Sequence, residues 1–465
     1  MQTHLADFIR DTPEGQEAEA IVRTCVHCGF CLATCPTYQL LGDELDSPRG
    51  RIYLMKQMLE GEPVTRKTQL HLDRCLTCRA CETVCPSGVK YGRLVDIGRG
   101  LVEKKVGRGA AASGMRYALR RVLPNPGLFA SLLKTGRAMR PLLPARLQDQ
   151  IPQPIQKFVP GGQYPAVHHR RKMLVLEGCV QPALVPNINA AARRVLDKLG
   201  ISLIRAPDAG CCGAVSYHLN AQQEGLDYMR RNVDAWWPYV RDMRDVTDIG
   251  NAKDRARPEL AGEGADEDSV ESAGVEAIVM TASGCGVMVK EYGHLLRHDP
   301  AYAGKAARIS ELAKDISEIV EAESLSLLRL LGTSIPDEKK PKLAFHSPCT
   351  LQHGMKIRGV VEKILLASGF RLTAVPDSHL CCGSAGTYSI LQPELSRQLL
   401  ENKVRALESG APERIATANI GCLMHVQSGT SLRVDHWIEI LDEALAGLIP
   451  AMPATPAMPG RAVSR

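Results

Sequence analysis

Two runs of cysteine constrain this chain more than any other feature of it. They read CVHCGFCLATCP, with Cys25, Cys28, Cys31 and Cys35 ahead of Pro36, and CLTCRACETVCP, with Cys75, Cys78, Cys81 and Cys85 ahead of Pro86. Three thiols at intervals of three let a tight loop wrap three corners of an iron–sulfur cube, while a fourth, shortly before a proline, points away from it. A zinc site needs only paired cysteines across a spacer and has no use for a third and fourth thiol at this spacing. With 465 residues, 45% of them hydrophobic, the chain is long enough for two or three cored domains without a disulfide scaffold. Its 16 cysteines therefore read as metal ligands or redox groups of a reducing compartment.

In two-cluster ferredoxins the fourth cysteine of each run ligates the other cluster. On that rule one 4Fe-4S cluster takes Cys25, Cys28, Cys31 and Cys85, and the second takes Cys75, Cys78, Cys81 and Cys35. Side by side, two such clusters form a wire for single electrons. His27 and Arg79 lie inside the loops, either as groups that tune the potentials or simply as exposed loop residues. Between the runs, RGRIYLMKQMLEG puts Ile52, Met55 and Leu59 on one helical face. Residues 1–105 are thus expected to form a mostly helical, two-cluster ferredoxin-like domain.

A basic connector, residues 106–171, follows. From Lys104 to Lys172 the chain carries 14 Lys and Arg against one acid, Asp149, although its net charge is only +6. No recognition helix, zinc finger or aromatic-studded basic sheet accompanies this charge, which argues against nucleic acid. The connector is either an amphipathic linker lying on its own domains or a surface for a partner or an anionic membrane face. The N-terminal stretch has no basic region followed by an apolar run, and no segment approaches the roughly 18 apolar residues of a spanning helix. The expected location is cytoplasmic.

From Lys172 onward, strand-like and helix-like patterns alternate as in α/β units with parallel strands: KMLVLEGC, NINAAARRVLDKLG, ISLIRAPDAGCCG. The order returns in KLAFHSPC, VVEKILLASG, FRLTAVPDSHLCCG, an internal duplication. Thirty-one residues separate Cys179 from Cys211, and 31 separate Cys349 from Cys381. Beyond the pairs, 72 residues lead to Cys285 but 39 to Cys422. The excess matches a charged stretch over about 241–274, read as a flexible insertion. The halves are 172–330 and 331–449, each expected to end in a helix (ISELAKDISEIV, VDHWIEILDEAL), and 450–465 read as a disordered tail.

Cys179 and Cys349 fall where the first strand of each half should end, the Cys-Cys-Gly triplets follow the second strand, and Cys285 and Cys422 follow the third. Ligands of open parallel sheets bind beyond the carboxyl ends of the strands. Each half is therefore expected to gather four thiols in one crevice: Cys179, Cys211, Cys212 and Cys285, then Cys349, Cys381, Cys382 and Cys422. Gly213 and Gly383 permit a turn that a side chain would obstruct.

A twin 4Fe-4S module followed by two Cys-Cys-Gly domains resembles the iron–sulfur subunits of flavin-linked oxidoreductases. CPTYQLLGDELDSPRGRIYLMKQMLEG, LEGCVQPALVPNINAAARRVLDKLGI, TASGCGVMVKEYG and TANIGCLMH look most like the glycolate oxidase iron–sulfur subunit family. The resemblance implies a complex with two flavoprotein-type subunits, at least one carrying FAD, that oxidises glycolate to glyoxylate. This chain would pass the electrons to a respiratory acceptor, a membrane quinone, from the inner face of the cytoplasmic membrane. It contains no G-x-G-x-x-G opening a helix after a strand, so it is not expected to bind flavin or oxidise substrate alone.

In heterodisulfide reductase relatives each Cys-Cys-Gly motif ends in C-x2-C, a fifth thiol for a noncubane cluster. Here Met288 and His425 occupy that position. A thioether binds ferric iron poorly, so the first half has four ligands at most. His425 either ligates through an imidazole nitrogen or packs structurally. The alternative functions are a heterodisulfide-reductase-like thiol redox subunit, or the iron–sulfur subunit of a lactate or glycerol-3-phosphate dehydrogenase complex.

Overall fold

The computed structural model describes residues 1–142, 144, 152, 168–240, 274–332 and 340–447. The expected insertion, apart from Gly274, and the expected tail lie outside the described residues. A helical N-terminal domain precedes two four-stranded parallel sheets, ordered β2-β1-β3-β4 and β6-β5-β7-β8. The first comprises β1 (Arg171–Leu176), β2 (Ile201–Ile204), β3 (Ile278–Met280) and β4 (Ala313–Asp315). The second comprises β5 (Lys342–His346), β6 (Arg371–Leu372), β7 (Arg414–Thr417) and β8 (Arg433–His436).

Helix Pro48–Leu59 starts on Ser47, whose side chain accepts from the Gly50 amide, and it buries Ile52, Met55 and Leu59 as its pattern requires. Along β1, Met173 and Val175 enter one core while Leu174 and Leu176 enter another, so both faces are covered. That arrangement suits a parallel sheet with crossover helices, and it explains why β1 is a continuous apolar run. The core that takes Met173 and Val175 also takes Leu343, Phe345 and Ile415 of the second half, so the two sheets share it.

Each half ends differently from the expected single helix. In the first half the edge strand Ala313–Asp315 divides helix Ala303–Leu312 from helix Ile316–Ala322, and a further helix, Ser324–Leu331, follows; in the second half the edge strand Arg433–His436 leads into helix Trp437–Leu445. Asp315 with Glu318, and His436 with Glu439, close capping boxes that start those helices. Strand residues of three or four, charged and directly abutting a cap, blend into the helical pattern that follows.

The connector forms helices Ala110–Val122 and Pro126–Met139, with Met115, Tyr117, Leu128 and Leu132 exposed. Part of its charge is spent within the chain: Arg108 and Arg116 reach Asp73, and Arg120 reaches Glu224. Among the described residues no helix is long and apolar enough to cross a membrane.

Asn187 Nδ2 donates to Glu439 Oε1 across the two halves (2.7 Å). Burial pushes the Glu439 carboxyl from an ordinary 4.5 up to about 7, with Asp435 acting in the same direction. Because the folded value lies above the unfolded one, the contribution of this group to stability is fully present below pH 4.5 and is lost as pH rises through about 7, by roughly 3 kcal/mol at most. Glu439→Gln removes this titration. Its thermal midpoint should gain on the wild type as pH rises from about 5.5 to about 8, and a pH-independent offset would contradict the assignment.

Candidate metal centres

The two N-terminal cysteine runs fold alike. His27 (φ 61°) and Gly29 (φ 87°) alternate with the thiols of the first; Thr77 (φ 52°) and Arg79 (φ 61°) do so in the second. Left-handed residues at these points wind the loop tightly and turn successive amides toward one side, a concavity that favours negative charge. Cys25, Cys28, Cys31 and Cys85 line one cavity, walled by Pro48, Ile52, Pro86 and Val89, and Cys81 also touches it. Burial pushes the Cys31 thiol up to about 11, and Cys25, Cys28 and Cys35 push the same way.

The second set gathers around Cys75, Cys78, Cys81 and Cys35, which lie within electrostatic reach of one another. The Thr77 amide donates to Cys75 Sγ (3.4 Å), the Tyr91 hydroxyl donates to the same sulfur (3.7 Å), and Arg51 Nη1 lies 3.9 Å from Cys35 Sγ. Arg51 is 1% exposed and paired with the buried Asp46, which fixes a cation beside the sulfur. Burial drives Cys78 and Cys81 well above the ordinary thiol range. Crowded, desolvated thiols of this kind ionise together only when a cation shares their charge, and four-iron clusters supply one. The donor set fits such clusters.

Arg79 departs from the exposed position considered for it. Its side chain is 16% exposed, bonded to Glu82 and, across the domain boundary, to Glu291 (3.1 Å), which also takes Arg93. A left-handed non-glycine residue costs roughly 1–2 kcal/mol, which these partners offset. His27 is exposed.

In the first Cys-Cys-Gly half, Cys179 interacts with Cys211, Cys211 with Cys212, and Cys212 with Cys285, so the four thiols meet at the carboxyl ends of β1, β2 and β3. Hydrogen bonds from Cys179 and Cys212, with the nearby Arg231 cation, hold Cys211 below the ordinary thiol range. In the second half Cys349 and Cys381 have their sulfurs 3.8 Å apart, and Cys382 reaches Cys422. This half also packs on the ferredoxin-like domain: Cys349, Cys381 and Tyr388 share a buried cluster with Leu76, against which Cys78 packs. Tyr388 donates to the Arg74 carbonyl (3.1 Å). The second N-terminal thiol set therefore borders the second Cys-Cys-Gly set.

Met288 is buried in the first half's core. His425 Nε2 lies 3.2 Å from Ser396 Oγ, whose proton goes to the Gly383 carbonyl, and the ring also bonds the backbone of Cys382. His425 thus braces the Cys-Cys-Gly turn. Another imidazole, which sequence reasoning did not single out, meets the thiols: a ring nitrogen of His346 and the sulfurs of Cys382 and Cys422 lie within 4.8 Å of one another. His346 ends β5 in KLAFH, where it reads as the polar end of a strand. Its one traceable signal is its place three residues before Cys349, where the first half has Leu176 before Cys179.

Gly383 turns at φ 93°, and a Cβ there would meet the Ser396 carbonyl oxygen at 2.7 Å; Gly386 (φ 64°) has nothing within 4 Å. Gly383→Ala should therefore cost about 3 kcal/mol and Gly386→Ala about 1 kcal/mol, read from thermal midpoints. Equal losses would show that the close approach does not matter.

Residues 21–89 match the family model of a 4Fe-4S dicluster domain, and residues 173–245 and 343–427 that of a cysteine-rich domain. The glycolate oxidase iron-sulfur subunit of Escherichia coli (strain K12) is 53% identical over 445 residues, covering 96% of this chain and 99% of that protein. A probable glycolate oxidase iron-sulfur subunit of Bacillus subtilis (strain 168) is 27% identical, covering 92% and 94%. Lactate utilization protein A of Bacillus licheniformis is 24% identical over 57% of this chain and 96% of its own length. Identity of the first order, running through the dicluster domain and both repeats, means that this chain belongs to the glycolate oxidase iron–sulfur subunit family.

Proposed function

We propose that this chain is the electron-transfer subunit of a flavin-dependent glycolate oxidase complex, working through two 4Fe-4S clusters. One is held by Cys25, Cys28, Cys31 and Cys85, the other by Cys75, Cys78, Cys81 and Cys35. The observation that carries the reading is the cavity ringed by three thiols of the first run and the last thiol of the second. When bound, the clusters take up and release single electrons with little rearrangement. The chain's own residues bind and tune them: the loop amides and Arg51 place positive potential beside the sulfurs, and Ile52, Val89 and Tyr91 keep water away.

The path has two ends of different character. Val26 and Phe30 are 67% and 65% exposed beside the exposed Cys28, so the first cluster meets the surface there. The second lies inward, against Cys349 and Cys381. Electrons come from an FAD-bearing partner, with a second flavoprotein-type subunit in the complex, and leave to a respiratory acceptor such as a membrane quinone. The complex works in the cytoplasm, peripheral to the inner face of the membrane, with the exposed basic helices of the connector as its docking face.

Glycolate added anaerobically to the purified complex should reduce the clusters, seen as new paramagnetic signals, whereas this chain alone should stay oxidised. Lactate at equal concentration should reduce them more slowly. Reduction of the isolated chain by glycolate, or undiminished glycolate-dependent dye reduction in cells lacking this chain but with an intact flavoprotein pair, would overturn the proposal.

A further inference from the structure

The two Cys-Cys-Gly domains repeat one another thiol for thiol, yet the ends of their central strands differ. In the first half the last paired residues of β1 and β3 are Leu176 and Met280, both buried and apolar. In the second half the corresponding pair is His346 and Thr417. A histidine has replaced a leucine at a position 2% exposed, where an unsatisfied polar atom costs roughly 1–3 kcal/mol. Such a replacement needs a compensating partner.

Nδ1 of His346 lies 3.0 Å from Thr417 Oγ1, but Nε2 has no hydrogen-bond partner among the described residues. The ring meets two thiols instead, those of Cys382 and Cys422, with one donor atom from each of the three within 4.8 Å of the others. Metal–nitrogen and metal–sulfur bonds of about 2.0 and 2.3 Å in a tetrahedral site put neighbouring donors roughly 3.3–3.8 Å apart, so the three groups are within small rotamer adjustments of one ion. The surroundings are those of a metal site. A ligating imidazole characteristically commits its other nitrogen to a neighbour, as Nδ1 does to Thr417. Asn419 Nδ2 donates to Cys422 Sγ (3.5 Å). Lys403, 3% exposed and donating to the Asp377 carbonyl (2.8 Å), places its ammonium group near Cys381 and Cys382, where burial works against its charge and the thiols work for it. His425, the histidine at the motif position, is engaged with Ser396.

We infer that the second Cys-Cys-Gly domain holds a thiophilic metal ion through the imidazole of His346 and the thiolates of Cys382 and Cys422, an arrangement for which Leu176 leaves the first domain no counterpart. One imidazole and two thiolates suit a single ferrous iron or a zinc ion. An imidazole donor in place of a thiolate leaves the centre less negative, and an iron centre at this place would have a higher potential, as in Rieske sites. The inference extends the reading of this chain as an iron–sulfur subunit by assigning a donor outside its cysteine motifs.

The test uses the full chain, purified anaerobically, with iron, zinc and sulfide counted per chain. Two cubanes account for about eight irons. The expected result is iron or zinc beyond that number, about one ion's worth of it lost in His346→Leu and kept in His425→Gln, with both cubane signals intact in each; which metal declines distinguishes the iron centre from the zinc centre. No metal beyond eight irons, or an excess untouched by His346→Leu, overturns the inference. If His346→Leu loses the cubanes as well, the wild type decides: with 15N-histidine, an iron centre should show histidine nitrogen coupling by pulsed paramagnetic resonance, and a zinc centre should show a nitrogen shell near 2.0 Å by X-ray absorption. Absence of both overturns it. Failure of the electron-transfer reading would appear separately, as cubanes that glycolate does not reduce in the complex.

Discussion

Desolvated thiols placed near one another resist ionisation, because each thiolate raises the cost of the next, and the architecture of this chain follows from meeting that constraint four times. In the ferredoxin-like domain it is met by loops: left-handed His27, Gly29, Thr77 and Arg79 turn amides inward, and Arg51, itself neutralised by Asp46, brings a cation to Cys35. In the Cys-Cys-Gly domains it is met by topology, since parallel strands deliver three segments to one crevice and the glycine after each cysteine pair lets the chain double back under it. Metal is the counter-charge that the two N-terminal donor sets fit.

The two Cys-Cys-Gly halves meet the ferredoxin-like domain through contacts of different character. Glu17 takes His294 and Arg297, and Glu291 takes Arg79 and Arg93, so the first Cys-Cys-Gly half is fixed to the ferredoxin-like domain by ion pairs. The second half is fixed by an apolar patch around Leu76 and Tyr388. The difference has a functional consequence: the apolar contact brings Cys78 against Cys349 and Cys381, while the charged contact leaves the first half's thiols with their own partners, Arg231 and Gly213. The duplicated halves are therefore not interchangeable. His346 marks the same divergence inside the sheet.

Much of this was legible in the sequence, and the reasons for the rest are specific. Cysteine spacing carries its geometry in short loops, so the N-terminal sets and the two strand-end constellations could be named before any coordinate. Apolar runs announced β1, β3, β5 and β7. β4 and β8 were hidden because AKD and RVDH are short, charged and fused to capping boxes. Arg79 reads as a loop residue because its partner Glu291 lies 212 positions away. His425 occupies the motif position yet turns to Ser396, whereas His346 looks like a strand terminus until β7, 71 residues on, sets Thr417 beside it. Side-chain direction and long-range pairing decide these cases, and neither is written in local pattern.

The central claim is that each N-terminal cluster takes its last ligand from the other cysteine run, which locks the two runs into one domain. Serine substitution at single cysteines of the full chain, followed by paramagnetic resonance of the reduced protein, tests it directly. The account predicts that Cys85→Ser leaves the same residual signal as Cys28→Ser, and that Cys35→Ser leaves the same signal as Cys78→Ser. Residual signals that instead group Cys85 with Cys78 and Cys35 with Cys28 would contradict it.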